Sequence, residues 1–106
     1  MPKFLVEGRY TAAGAKGLAH DGGTGRLAAI SKAAEGLGGK LETLYYAFGD
    51  VDVYVIVDMP DNAAAAALAL AVNQSGAATT KTIVLMTPEE VDAAGKKSVS
   101  YKAPGR

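Results

Sequence analysis

The stretch Val51-Asp52-Val53-Tyr54-Val55-Ile56-Val57-Asp58 decides the fold. Its four valines alternate with four other residues, which is the two-residue period of a strand with one apolar face, and β-branched side chains dominate it. Just after it, Pro60 ends the ladder and Asp61 is a good N-cap, so an alanine- and leucine-rich helix is expected over Asn62–Gln74, closed by Gly76. Just before it, Gly49-Asp50 reads as a hairpin turn preceded by a strand over Leu41–Phe48. Phe4–Tyr10 alternates in the same way, with Phe4, Val6, Gly8 and Tyr10 on one side and Leu5, Glu7 and Arg9 on the other.

The remaining segments complete the order. Thr11–Gly25 carries five glycines and is expected to be a flexible connection with a short helical turn near Ala12–Ala19. Thr24 can cap a helix beginning at Arg26, in which Leu27, Ile30, Ala34 and Leu37 recur at helical spacing until Gly38-Gly39 stops it. Thr79–Thr87 reads as a fourth strand, Pro88-Glu89-Glu90 opens a short helix with acids at its positive end, and Gly95–Arg106 is a polar, basic tail. The order βαββαβ is the ferredoxin-like split βαβ motif of the α+β class: a four-stranded antiparallel sheet with two helices on one face. The expectation is one domain over residues 1–106, with its core in 3–91 and the tail over 95–106.

Composition excludes several function classes. Eleven Lys and Arg balance eleven Asp and Glu, so no whole-molecule field draws in nucleic acid or an anionic membrane. The absence of cysteine removes disulfides and thiolate metal sites, and a single histidine leaves no metal cluster, so no metal or cofactor is implied. No apolar run approaches the ~18 residues of a membrane span, and Met1-Pro2-Lys3 lacks the start of a secretory signal, which points to a cytoplasmic protein. Twenty-one alanines and 13 glycines make about a third of the chain small, leaving little side-chain volume for a core.

With helices on one face of the sheet, alternation assigns the other. It is expected to hold Leu5, Glu7 and Arg9, then Asp52, Tyr54 and Ile56, together with Tyr46 and Phe48, and either Ile83 and Leu85 with Lys81 or their alternates. Such a face is too apolar to leave wet and too polar for an inert core. Two such sheets packed face to face form a dimeric α+β barrel, so a homodimer is expected. Strands one and three are antiparallel neighbours in this fold, which brings Arg9 toward Asp52. That pair reads either as a structural ion pair or as the polar end of a ligand cavity. In the second reading Arg9 binds a carboxylate or phenolate, Tyr54 or Tyr46 donates a hydrogen bond, and Glu7 or Asp52 serves as a base. His20, beside Asp21, reads as a surface or capping residue, a general base, or an axial haem ligand. Gly22-Gly23-Thr24-Gly25 precedes a helix but lacks the lysine and hydroxyl residue of a phosphate-binding loop. Lys96, Lys97, Lys102 and Arg106 read as solvated charge, with Val99 and Tyr101 able to dock the tail on a partner subunit.

The stretches Gly22-Gly23-Thr24-Gly25-Arg26, Tyr45-Tyr46-Ala47-Phe48-Gly49 and Asp52 to Asp61, in that order and spacing, resemble the GYD-domain family of small bacterial proteins. The resemblance runs to about Val91. Gly22, Gly23, Arg26, Gly49 and Asp52 match the family pattern, while Val51 occupies the tyrosine position. It implies a relationship to dimeric α+β barrel proteins, a group that includes cofactor-free monooxygenases, lactone isomerases and haem-handling proteins, so the fold selects no chemistry. The leading expectation is a protein that binds a small aromatic or carboxylated metabolite, with or without catalysis. A non-catalytic homo-oligomeric assembly module and haem binding through His20 stand as alternatives.

Overall fold

The computed structural model describes all 106 residues. Its elements run β1 (Lys3–Tyr10), α1 (Ala12–Gly36), β2 (Lys40–Tyr46), β3 (Val53–Asp58), α2 (Asn62–Gln74), β4 (Ala78–Leu85) and α3 (Pro88–Gly95). The strands form one antiparallel sheet in the order β2-β3-β1-β4, which is the ferredoxin-like arrangement anticipated from the element order. No helix is long and apolar enough to cross a membrane.

The alternation of β3 does what its sequence demands. Val53, Val55 and Val57 are buried beneath the helices with Phe4, Ala34, Met59, Ala65 and Leu68, and this cluster is the core. Each branched side chain removed from water there contributes ~1.5 to ~3 kcal/mol, which is what holds two thin helices onto the sheet. Val51 is buried as well but lies before the strand, so β3 begins two residues later than its valine pattern suggests. Asp61 caps α2 by accepting from the Ala64 amide at 2.8 Å.

The glycine-rich segment after β1 is helical rather than a flexible connection. Thr11 caps α1 by accepting from the Gly14 amide at 3.1 Å, and its hydroxyl donates to the Gly76 carbonyl at 2.7 Å, which ties the start of α1 to the end of α2. Gly14 allows that junction, because a Cβ there would collide with the Ala77 carbonyl. The one break is Gly22, at φ 80° and ψ 160°, where α1 kinks. Only glycine enters that region at little cost, so the break falls inside the glycine run and the helix resumes on the far side of it.

A second departure concerns β2. Its pairing with β3 slips between Leu41 and Thr43, so Leu41, Leu44 and Tyr46 all face the helices while Thr43 and Tyr45 face away. An unbroken alternation places Tyr46 on the open face; the extra residue of the bulge inverts that assignment. Phe48 is likewise absent from the open face, sitting in the β2–β3 loop beside Ala15 and Ala19 of α1.

Asp52 also leaves the open face, lying before β3 beside Tyr10 and α1, because the strand begins only at Val53; the open face has the rest of its expected occupants. The register sets Leu5 between Ile56 and Ile83, and Glu7 between Tyr54 and Lys81. At one corner Lys3 donates to Asp58 at 2.9 Å and lies 3.2 Å from Glu42. These carboxylates, Asp58 foremost, raise the Lys3 pKa. Beyond β4, α3 carries a complete capping box between Thr87 and Glu90 yet scarcely touches the other elements, and the molecule extends to 56 × 33 × 22 Å.

Candidate ligand cavity

Small side chains shape the space between the helices. α2 packs on β4 and α1 on β2, and the two helices scarcely meet above the middle of the sheet. Between them lies a cavity of about 390 Å³ with Val6, Gly8, Val53 and Val55 as its floor. Ala29, Ile30 and Ala33 of α1 form one wall, and Leu68, Ala69 and Val72 of α2 the other. Alanine where a larger residue would bridge the gap leaves room that neighbouring atoms cannot collapse to fill. The volume falls within the ~300 to ~1,000 Å³ range of small-molecule sites, and a mostly apolar lining with a few convergent polar groups is their usual character.

The polar groups gather near the kink. Arg26 and Asp21 are the only charged residues of the lining, with the Arg26 Nη1 3.6 Å from the Asp21 carboxylate. Tyr46 donates its hydroxyl proton to the Gly23 carbonyl at 2.9 Å, and that carbonyl sits one residue beyond the break at Gly22. Tyr10 lies beside Tyr46 at the end of β1. Burial is the main cause that raises the pKa of both phenols, so the two hydroxyls stay protonated well into the alkaline range. Asp21 is pulled the other way: its hydrogen bond with His20, aided by Arg26, lowers its pKa. The kink therefore assembles a guanidinium, a carboxylate and two protonated phenols at the rim of an apolar space.

The sequence-derived candidates divide between two faces. Tyr46 is in this cavity. Arg9, Glu7 and Tyr54 belong to the open face of the sheet, where Arg9 and Glu7 make no ion pair. Asp52 lies just before β3, beyond the last rung of its ladder with β1, and forms no ion pair with Arg9. Its carboxylate accepts from the Tyr10 amide at 2.8 Å, and its own amide donates to the Gly8 carbonyl at 2.9 Å, so it fastens the β2–β3 loop to the end of β1. His20 is solvent-exposed, 3.1 Å from Asp21, and outside the cavity lining. Gly49 lies in the exposed turn.

Tyr10, Asp21, Ile30 and Leu68 were not among the sequence-derived site residues, and Arg26 entered only through the family pattern. A signal for Arg26 was present in its position, four residues before Ile30 on the apolar stripe of the helix. A cation on such a stripe points across the buried side of a helix rather than away from it.

The fold and its cavity define a ferredoxin-like α+β domain with an interhelical pocket. The GYD domain pattern matches residues 4–94, and the chain belongs to the GYD-domain family. No curated protein and no solved structure matches it.

Proposed function

We propose that the protein binds a small, largely apolar molecule in the cavity between α1 and α2. The observation that carries this reading is the cavity itself: about 390 Å³ of mostly apolar space with its two charged residues at one rim. A mostly apolar groove of this size leaves its walls short of packing partners, so a ligand that fills it gains burial of apolar surface. The family residues Gly22, Gly23 and Arg26 support the same reading, because they form the kink and the cation beside it. The pocket lies on the covered side of the sheet, so this reading does not require the space enclosed between two subunits.

The open face favours self-association as a second, compatible property. Leu5, Ile56, Ile83 and Leu85 give it an apolar row, and Glu7, Arg9 and Lys81 lie beside that row without ion partners within the chain. Two copies related by a two-fold axis bury the row and oppose Glu7 of one to the cations of the other.

Native mass spectrometry of the protein purified without added ligand tests both properties. The expected spectrum is a dimer carrying a reproducible extra mass that is lost on denaturation, and Ala33→Leu, which narrows the cavity from the α1 wall, should lose most of that mass and keep the dimer. A wild-type spectrum without extra mass, together with no uptake of apolar compounds by either protein, defeats the binding reading. A monomer at micromolar concentration defeats the second.

A further inference from the structure

We propose that the ligand of this cavity is an apolar monocarboxylate, its carboxylate received by the Arg26 guanidinium and its hydrocarbon or aromatic body lying over Gly8 between Ile30 and Leu68. The inference rests on the reading of the cavity as a ligand site and names the class of molecule it takes.

Hydrogen-bonding capacity singles out Arg26. The Tyr46 proton is committed to the Gly23 carbonyl at 2.9 Å, and the Ser75 hydroxyl to the Val72 carbonyl at 2.6 Å. The Thr80 hydroxyl oxygen accepts from the Asn73 side chain at 2.9 Å, so Thr80, like Tyr10, offers one neutral hydroxyl proton and no charge. Arg26 has five N–H donors, yet its only ion partner is Asp21 at 3.6 Å, a separation too long for a good hydrogen bond. Asp21 is in turn shared with His20 at 3.1 Å.

The charge and shape of the ligand follow from those donors. A planar guanidinium matches the two oxygens of a carboxylate in a bidentate, charge-assisted pair. A dianionic phosphate brings a second charge that one guanidinium leaves unpaired and that the neighbouring Asp21 carboxylate repels. An amine meets like charge in Arg26. A neutral alcohol keeps the apolar contacts and forgoes the ionic one.

Calorimetric titration of the full chain with decanoate, decanol and decyl phosphate tests the assignment. Decanoate should bind at least ten-fold more tightly than either of the others, and octanoate more weakly than decanoate by about four-fold per methylene. Arg26→Gln should cost decanoate at least ten-fold and leave decanol unchanged. Asp21→Asn, which removes the competing carboxylate from an exposed position, should tighten decanoate several-fold without altering decanol, and it carries the test alone if Arg26→Gln does not fold. Equal binding of decanoate and decanol, with neither variant discriminating between them, overturns the carboxylate assignment and leaves the cavity as a ligand site. No binding of any of the compounds overturns both.

Discussion

Tyr10 and Tyr46 show how little separates a structural residue from a site residue in this protein. Both phenols are held among apolar groups, and burial raises the pKa of each. The sign of the effect on stability follows directly. In the unfolded chain these phenols lose their protons near pH ~10, whereas in the folded protein they hold them to higher pH. Stability is therefore fully present below pH ~10 and is lost as pH rises through the folded values, because the unfolded state then binds fewer protons than the native state. Chemical denaturation between pH 8 and 11 should show this fall, and a Tyr10→Phe/Tyr46→Phe variant should show a shallower one. Its stability at pH 8 should be lower by about 1 kcal/mol for the lost Tyr46 hydrogen bond. An unchanged slope means that the phenols ionise as freely in the fold as outside it.

Among the elements, α1 has the least ordinary construction. Its two halves meet at Gly22, and the break aims the Gly23 carbonyl at Tyr46 while Arg26 follows one turn later. A side chain at Gly22, at φ 80° and ψ 160°, must adopt a conformation open almost only to glycine, at a cost of about 1–3 kcal/mol. Gly22→Ala should accordingly lower the unfolding free energy by that amount in urea. It should also weaken the binding of decanoate more than an equally destabilising change at the distant Asp61 cap of α2. Equal losses at the two sites would show that the kink positions nothing.

This helix also marks where the sequence was hard to read. The strands were legible because alternation is local: Val53, Val55 and Val57 carry their own period, and the register that joins Phe4 to Val57 follows from it. The glycines between Gly14 and Gly25 argued against helix by propensity, but tertiary contacts decided otherwise, since Thr11 bonds the far end of α2 and Gly14 lets the two segments touch. The bulge at Leu41/Thr43 left no mark in the sequence, and it moved Tyr46 from the expected face into the cavity. The cavity was hidden for a related reason. The alanines of α1 and α2 were visible as a shortage of core volume, but whether such helices close together or stand apart depends on how each seats on its own edge of the sheet.

At the scale of the whole molecule, the residues divide their tasks by face. The helix-covered side of the sheet holds the core and the cavity, while the open side holds Leu5, Ile56 and Ile83 with the unpaired charges of Glu7, Arg9 and Lys81. In the proposed reading a ligand and a second subunit address opposite surfaces of one four-stranded sheet. The strands β1 and β3 contribute to both, with successive residues pointing alternately to one and the other.

The gap between α1 and α2 also makes the protein responsive to compression. Internal space disappears when a chain unfolds, so the unfolded protein with its water occupies less volume than the native state, and hydrostatic pressure favours it. A domain this small whose helices leave an apolar groove between them should unfold at lower pressure than its Ala33→Leu variant, in which the longer side chain packs part of that groove, by high-pressure fluorescence of its tyrosines. Decanoate should raise the pressure midpoint of the parent protein by occupying the same space, and it should do less for the variant in which that space is narrowed.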